Sequence, residues 1–345
     1  MGRAWRAGLG RGWLELPLEV GDRLGGAALG AAPGQTVIGD STTVCFYKLA
    51  SAALDARPKR TQIVTDSGNF PTDRYVLEGL ARMRGLEIVW LDGDPHPDAV
   101  AARVGRDTAL VTFSHVSYRS AHIADMATVN EIAEGAGALM LWDLSHSAGS
   151  VPISLDGDHA PLAVGCTYKY LNGGPGAPAY MYVSRELQSE LRQPIWGWLG
   201  RRDPFEMAPG YEAADGIIGF LSGTPPVLAL SAVDEGIRLV AEAGIDAIRV
   251  KGSALTELAI ALSDNRLAPL GVTVVSPRDP ARRGAHVALA HPHARRLCAR
   301  LIEGGVIPDF RRPDVIRFGL SPLTTRFVDV WDGIDALRRA LSEFV

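Results

Sequence analysis

The sequence predicts an α/β protein in which a mostly parallel sheet is flanked by helices on both faces. Seven short apolar runs, each bounded by turn-forming residues, alternate with helical patterns up to residue 183. Parallel neighbours need a crossover connection, so this alternation favours a parallel sheet. Most of the runs lack a polar face, which is typical of strands buried on both sides. The expected strands are 36–38, 62–64, 87–91, 109–113, 139–142, 163–166 and 180–183, and the clearest helices between them are 44–56, 73–84 and 126–135.

The pattern changes after Pro226, where two long helical stretches are followed by shorter elements. The helical stretches are 227–243 and 247–264, and the shorter elements are 272–275, 285–290, 293–303, 315–319 and 327–344. This order favours a second, smaller α+β domain. We therefore predict a large cofactor-binding domain over 1–230, with an N-terminal arm over about 1–30, and a small C-terminal domain over 231–345.

The composition excludes several classes of function. The chain has 345 residues, of which 47% are hydrophobic, and a formal net charge of -4. This charge gives no electrostatic footprint for nucleic acid or an anionic membrane, and the first residues include no apolar run long enough for a signal peptide or a membrane span. Cys45, Cys166 and Cys298 are widely spaced and form no paired metal-ligand pattern. We expect reduced thiols, no metal site and a cytoplasmic protein.

An acid and a lysine follow two of the apolar runs. Asp143 follows the run 139–142, and Lys169 comes after 163–166 and before glycines that let the backbone approach a bulky ligand. Open α/β sheets bind ligands at the carboxyl ends of their strands. A lysine amine can form a Schiff base with the aldehyde of pyridoxal 5'-phosphate, and a carboxylate can keep the pyridine nitrogen protonated. The alternative is that Asp143 caps a strand and Lys169 is a solvated loop residue.

Two segments carry a resemblance to a known family. The segments 142–149 (WDLSHSAG) and 165–176 (GCTYKYLNGGPG) resemble those of kynureninases, which are pyridoxal phosphate enzymes of the aspartate aminotransferase fold, fold type I. The resemblance extends from Gly12 to the C-terminus. It implies that Lys169 carries the cofactor, that Asp143 contacts its ring, and that the chain hydrolyses L-kynurenine or a ring-substituted kynurenine to an anthranilate and L-alanine. It further implies a cytoplasmic homodimer of tryptophan catabolism, in the kynurenine pathway toward NAD biosynthesis.

The turn before the first predicted helix is a candidate anion site. Four polar residues, Asp40-Ser41-Thr42-Thr43, separate the strand 36–38 from the helix 44–56. Hydroxyl groups and free backbone N–H groups at a helix N-terminus bind anions, whereas an ordinary N-cap would explain only one of the four residues. In kynureninases the matching positions, Thr42 and Thr43, bind the cofactor phosphate.

A second turn carries an aromatic residue. The segment Phe70-Pro71-Thr72-Asp73 follows the strand 62–64, and its aromatic ring could either stack on a pyridine ring or fill the core. Asp73 could cap the next helix. The resemblance implies that the whole turn contacts the cofactor, with Phe70 as the stacking ring. It implies a further contact from Ser114, which follows the strand 109–113.

Tyr168 directly precedes Lys169, so in an extended segment their side chains would point to opposite faces. One residue would then serve the phosphate side of the cofactor and the other its aldehyde. The resemblance implies that Tyr168 binds the phosphate and acts as a general acid, and that His146 also contacts the cofactor. An isolated tyrosine would more often pack with its hydroxyl satisfied.

Three residues further along the chain match positions of the family. Trp198, in 196–198 (WGW), and Thr224, in 223–226 (GTPP), would reach the cofactor phosphate of the partner subunit in a dimer with shared active sites. Arg317 lies between two apolar residues on a predicted strand, and its guanidinium would bind the substrate α-carboxylate bidentately. The alternative for an arginine is a solvated surface group.

The sequence departs from the family in its first residues. Kynureninases open with a further segment before the Gly-Trp seen here as Gly12-Trp13. The resemblance therefore implies either a truncated reading of a longer gene or an active site that is incomplete on that side, with Trp5 as the candidate for the residue that contacts the substrate ring. The rival interpretations are a class V aminotransferase, a cysteine desulfurase, and an inactive homologue that serves as a binding protein.

Overall fold

The computed structural model describes residues 12–342. The α-helices, in chain order, are α1 (Leu16–Leu24), α2 (Thr42–Asp55), α3 (Pro71–Arg84), α4 (Pro97–Ala101), α5 (Met126–Gly135), α6 (Val227–Ala243), α7 (Ile245–Arg266), α8 (Ala294–Glu303) and α9 (Phe327–Ser342). The strands are β1 (Thr36–Ile38), β2 (Gln62–Asp66), β3 (Glu87–Leu91), β4 (Thr108–Ser114), β5 (Leu139–Asp143), β6 (Leu162–Gly165), β7 (Tyr180–Val183), β8 (Thr273–Val274), β9 (His286–Ala290), β10 (Asp309–Arg311) and β11 (Val315–Gly319). The helices and strands expected from the sequence are all present, with ends that differ by a few residues.

The chain divides into two compact units. The first comprises the described residues up to 115, 125–148 and 152–242, and the second comprises 116–124, 149–151 and those from 243 onward. The first unit thus ends with α6, whereas the sequence analysis placed the domain boundary at 230. The ion pair of Arg23 with Asp234, at 2.6 Å, ties α6 to this unit.

The sheet of the first unit has seven strands in the order β1-β7-β6-β5-β4-β2-β3. All neighbouring pairs from β6 to β3 are parallel, while β7 runs antiparallel to both β6 and β1. The predicted mostly parallel sheet is therefore confirmed. Strand β7 is the exception because residues 166–179 return to it as a loop with no crossover helix.

The central strands are buried on both faces, since every residue of β4, β5, β6 and β7 is buried. This burial explains why the runs read as continuously apolar. At the carboxyl ends of the parallel strands the chain becomes polar, with Ser114 at the end of β4 and Asp143 at the end of β5. The fold therefore gathers polar side chains at one edge of the sheet.

A close contact between two neighbouring strands fixes the end of β6. Gly165 pairs in register with Tyr180, which is fully buried. A Cβ atom on Gly165 would lie 2.3 Å from the phenol oxygen of Tyr180. The tyrosine ring therefore occupies the space that a side chain at position 165 would need.

The second unit contains a four-stranded antiparallel sheet in the order β10-β11-β9-β8. Apolar residues of this sheet and of α7, α8 and α9 form its core, among them Leu255, Leu289, Leu297 and Leu337. The elements match the α+β pattern expected for the C-terminal part of the chain. Within residues 12–342, no helix has the length and apolar character needed to cross a membrane.

We expect the substitution G236A to destabilise the first unit. A Cβ atom at Gly236, in α6, would lie 2.2 Å from the carbonyl oxygen of Leu171, in the loop after β6. Overpacking of this kind costs about 1–3 kcal/mol of unfolding free energy. The matched control is G79A in α3, where a Cβ atom would meet nothing within 4 Å, and where alanine should instead add about 0.5–1 kcal/mol. Urea unfolding of both variants measures the difference, and equal midpoints would contradict the close contact.

Candidate active site

The carboxylate of Asp143 stands at the carboxyl end of β5 and is almost completely buried, with 4% of the residue exposed. The backbone N–H of Ser145 donates to its Oδ1 at 2.7 Å, because the chain turns directly after the strand. In register with Asp143 on the neighbouring strand is Ser114. These contacts hold one carboxylate oxygen and leave the other directed away from that turn.

Asp73 brings a second carboxyl group to Asp143. Helix α3 begins with Pro71 at its first position and Phe70 as N-cap, so Asp73 lies inside the first turn. The alternative that Asp73 caps the helix is therefore wrong, because the proline, which needs no hydrogen bond at its nitrogen, starts the helix two residues earlier. Asp73 is 2% exposed, and its carboxyl group is hydrogen-bonded to that of Asp143.

Asp73 and Asp143 form a buried pair of carboxyl groups. Burial raises the pKa of Asp73 well above its ordinary value, and the charge of Asp143 and the hydrogen bond between the two groups act in the same direction. The ammonium of Lys169 opposes the shift but does not reverse it. The raised pKa favours the protonated form of Asp73, which can donate a hydrogen bond to Asp143. The Oδ2 atom of Asp73 is buried without a hydrogen-bond partner among the described residues.

Lys169 extends over two aromatic rings. Its Nζ lies 5.8 Å from the ring centre of Phe70 and 5.4 Å from that of Tyr168.

The expectation that Tyr168 and Lys169 point to opposite faces is wrong. Strand β6 ends at Gly165, and residues 167–169 form a bend rather than an extended segment. The bend is fixed by Thr167, whose hydroxyl donates to the carbonyl of Pro178 at 2.6 Å and whose carbonyl accepts from the N–H of Gly173 at 2.9 Å.

Tyr168 is a proton donor at neutral pH. Burial of part of the ring raises the pKa of Tyr168 to about 12, with further contributions from Cys166 and the carboxylate of Asp143. About half of the residue, 49%, stays exposed, so its hydroxyl can reach a bound ligand. The phenol therefore keeps its proton at pH 7 and can give it to a stronger base.

Asn69 is a residue of this site that the sequence analysis missed. Its amide oxygen accepts from the hydroxyl of Ser114 at 2.7 Å and from the backbone N–H of Phe70 at 2.8 Å. Asn69 is 3% exposed and thereby joins the end of β4 to the turn that carries Phe70. The sequence signal was the Ser67-Gly68-Asn69 segment. These residue types are common in ordinary turns, so their presence does not distinguish a functional asparagine from a structural one.

The predicted anion site lies at the start of α2, at the same edge of the sheet. Ser41 is the N-cap, and its hydroxyl accepts from the N–H of Val44 at 3.4 Å, so Thr42 and Thr43 occupy the first turn. First-turn N–H groups have no partner within a helix and are available to an anion. A cavity of about 390 Å³ adjoins this turn and is lined by Ile38 to Ser41, Gly176, Pro178 and residues 221–226, including Thr224.

A larger cavity, of about 600 Å³, lies elsewhere. It opens at the amino end of β5, around Leu139 and Met140, and is also lined by Asp156 and Tyr182. Asp143 lies at the opposite end of the same strand. Because the polar and aromatic groups described above all lie at the carboxyl edge, we place the candidate active site there.

The other residues that the sequence predicts for the site lie in several parts of the chain. Pro71 and Thr72 lie in the first turn of α3, and His146 is buried in the turn after Asp143. Trp198 starts a short 3-10 turn, with its ring centre 5.9 Å from that of Phe205. Arg317 belongs to the second unit. Trp5 lies outside the described residues.

The arrangement at the carboxyl edge fits pyridoxal 5'-phosphate. An amine, a flat aromatic ring and a charged carboxylate are the groups that the aldehyde, the ring face and the pyridine nitrogen of this cofactor need. The amine of Lys169 lies 5.8 Å from the ring centre of Phe70, and both Lys169 and Asp143 influence the pKa of Asp73, whose buried, unpartnered Oδ2 adds a polar atom that a ligand can satisfy. A helix N-terminus at the same edge suits the phosphate.

Comparisons with known proteins agree with this geometry. A family model for the kynureninase C-terminal domain matches residues 248–337. The chain is 44% identical to the kynureninase of Burkholderia pseudomallei strain K96243 over 99% of this chain and 84% of that protein. It is 40% identical to the kynureninase of Pseudomonas fluorescens over 98% of this chain and 81% of that protein.

The chain belongs to the kynureninase family. The family assignment made from 142–149 and 165–176 is therefore confirmed. Two solved structures share the fold: the cysteine desulfurase of Thermococcus onnurineus NA1 and a C-DES mutant with glycine covalently linked to its PLP cofactor. For the first, the TM-score is 0.81 at 18% identity, covering 95% of this chain and 84% of that chain. For the second, the TM-score is 0.83 at 16% identity, covering 94% and 86%. They confirm fold type I, and membership of the kynureninase family makes pyridoxal phosphate the expected cofactor.

We expect D73N to change how the stability of the cofactor-free protein depends on pH. Above the ordinary aspartate pKa of about 4, the native state retains the proton of Asp73 while the unfolded state loses it. Stability of the wild type therefore falls as pH rises toward the raised pKa, by up to about 1.4 kcal/mol per pH unit. An asparagine at position 73 still donates to Asp143 but does not titrate, so the variant should gain stability relative to the wild type between pH 5 and pH 8.

Urea unfolding midpoints across this pH range measure the effect. The matched control is E78Q, which removes an exposed carboxylate from the same helix and should leave the pH profile of the wild type unchanged. Parallel profiles for D73N and the wild type would show that the pKa of Asp73 is not raised in the native state.

Proposed function

We propose that this chain is a pyridoxal phosphate-dependent hydrolase that cleaves the Cβ–Cγ bond of L-kynurenine, or of a ring-substituted kynurenine, to yield an anthranilate and L-alanine. The observation that carries the proposal is the placement of Lys169 between Phe70 and Tyr168, beside the carboxyl pair of Asp73 and Asp143. It occurs in a chain that is 44% identical to a named kynureninase. The reaction would place the enzyme in tryptophan catabolism.

The residues at the carboxyl edge take distinct roles toward the cofactor. When bound, pyridoxal phosphate supplies an aldehyde that bonds to amines and a ring that withdraws electrons from the substrate α-carbon. Asp143 would accept a hydrogen bond from the ring N–H, and Asp73, whose pKa is raised by burial, would support it as a neutral neighbour. Phe70 would cover one face of the ring, while Thr42 and Thr43 would donate to the phosphate.

Two neighbouring residues move protons in the proposed reaction. The amine of Lys169 removes the substrate α-proton once the substrate amine has displaced it. Water then adds to the γ-carbonyl, which allows the Cβ–Cγ bond to break. Tyr168 gives a proton to the β-carbon that the departing anthranilate leaves behind, a role for which its pKa of about 12 keeps it protonated at neutral pH.

Arg317 is our candidate for binding the substrate α-carboxylate. It is 9% exposed, and its Nε donates to Asp309 Oδ1 at 3.0 Å. Its Nη1 donates to the backbone carbonyl of Tyr118. Its Nη2 donates to Asp309 Oδ2 at 2.5 Å, so Asp309 already forms a bidentate ion pair with the guanidinium. A substrate carboxylate would bind bidentately in place of Asp309.

The rival functions are less well supported. A cysteine desulfurase needs an accessible thiol, but Cys45, Cys166 and Cys298 are all buried. An aminotransferase would leave the Cβ–Cγ bond intact and convert L-kynurenine to the corresponding 2-oxo acid, whereas the proposed reaction releases an anthranilate, so product analysis separates the two. An inactive homologue is disfavoured by the assembled group around Lys169. The buried, unpaired cysteines also favour our proposal of a cytoplasmic protein.

We further propose a homodimer in which Trp198 and Thr224 reach the partner subunit's cofactor phosphate. Large apolar side chains near Trp198 are exposed, with Trp196 at 64% and Phe205 at 46%. An exposed cluster of aromatic side chains is typical of a protein interface.

We expect K169A to abolish the reaction. The alanine removes both the amine that bonds to the cofactor and the base for the α-proton, so anthranilate formation should fall by about a thousandfold or more. The visible absorption band that the wild type shows with the cofactor should disappear as well. The matched control is K59A, which removes an exposed lysine from the same unit and should leave both signals intact. Borohydride trapping of the cofactor on a peptide without Lys169 would refute the assignment.

Light scattering should give a particle of twice the mass of one chain. Because the exposed aromatic cluster would be buried in the dimer, F205K should weaken association, whereas M83K, which alters an exposed apolar residue of α3, should not. A stable wild-type monomer with full cofactor occupancy would contradict the shared active site.

A further inference from the structure

Asp40, at the turn before α2, has an unusual backbone conformation. Its φ is 52°, in the left-handed region that residues with a side chain rarely adopt. The carbonyl of Asp40 accepts from the N–H of Ala179 at 2.9 Å, and the N–H of Gly39 donates to the carbonyl of Ala179 at 2.9 Å. Such a conformation persists only where surrounding contacts hold it, and it is common at ligand sites.

The side chain that holds Asp40 is a buried lysine. Lys48 lies in α2 and has no exposed surface, and its Nζ donates to Asp40 Oδ2 at 2.6 Å. The same Nζ donates to the backbone carbonyl of Phe220 at 3.1 Å. Burial of an ammonium costs free energy, and an apolar side chain of similar volume commonly stabilises a fold equally well. Stability alone therefore does not explain a lysine at this position.

We infer that Lys48 is a positioning residue for the phosphate of the cofactor. The inference rests on the proposed function, in which Thr42 and Thr43 bind that phosphate. The carboxylate of Asp40 precedes Thr42 by only two residues, and an unpaired carboxylate there would repel a phosphate dianion. The ammonium of Lys48 neutralises this carboxylate and fixes the left-handed turn that aims the first N–H groups of α2.

The second hydrogen bond of Lys48 reaches the segment on the other side of the cavity that adjoins this turn. Phe220 ends a 3-10 turn and is followed directly by the segment 221–224, which ends with Thr224. This segment and the turn of Asp40 line the same cavity of about 390 Å³. A single ammonium group therefore holds both walls of the cavity that adjoins the start of α2.

Titration of the cofactor-free enzyme with pyridoxal phosphate and with pyridoxal, which lacks the phosphate, tests the inference. Binding is followed by the visible absorption of the bound aldehyde, and turnover is not needed. In K48M, we expect the affinity for pyridoxal phosphate to fall by about tenfold or more, equivalent to about 1.4 kcal/mol, while the affinity for pyridoxal changes by less than about twofold. K48R, which preserves the charge, should stay within about threefold of the wild type for both ligands.

The matched control is K59M, which replaces an exposed lysine and should change neither affinity. If K48M does not fold, as judged by its thermal unfolding, the variant D40N/K48M, which leaves no unpaired charge, takes its place. There we expect a smaller loss of about threefold or more that is again confined to pyridoxal phosphate, because the turn is no longer fixed. Equal losses for both ligands, or no loss, would overturn the inference. Failure of the wild type to bind pyridoxal phosphate at all would instead overturn the proposed function.

Discussion

The hydrogen bond between the carboxyl groups of Asp73 and Asp143 is the interaction on which the candidate active site depends. Two buried carboxylates in contact cannot both carry a charge, so one of them must keep a proton. Burial and the charge of Asp143 both raise the pKa of Asp73, so Asp73 favours the protonated form, while the N–H of Ser145 donates to Asp143. The amine of Lys169 lies close enough to this pair to oppose the rise in the pKa of Asp73.

The sheet, and not the residues that neighbour either aspartate in the chain, brings Asp73 and Asp143 together. Asp143 ends a strand at the centre of the sheet, while Asp73 enters from the helix that follows β2. The antiparallel return of β7 leaves residues 166–179 as a loop at the same edge, and this loop carries Tyr168 and Lys169. Thus three separate stretches of chain contribute to one site because their strands end side by side.

Much of this organisation could be predicted from the sequence. The strand before Asp143 and the helix after Thr43 follow from apolar runs and turn residues, which depend on local periodicity alone. The contact between Asp73 and Asp143 could not be predicted in this way, because it joins residues that lie seventy positions apart in the chain. The relative orientation of Tyr168 and Lys169 was predicted wrongly because a hydrogen bond from Thr167 to Pro178 bends the segment. Lys48 gave no signal, since a lysine within a helical pattern is typical of a solvated face.

The contact between Gly165 and Tyr180 limits the order in which this part of the protein can evolve. The phenol oxygen of Tyr180 lies 2.3 Å from the place of a Cβ atom at position 165. A side chain therefore has no space at position 165 while the tyrosine keeps its place. A smaller residue at position 180 must come first, and that intermediate would carry a cavity in the middle of the sheet. Glycine at position 165 and tyrosine at position 180 are therefore constrained as a pair, at the end of the strand that leads into the loop of Lys169.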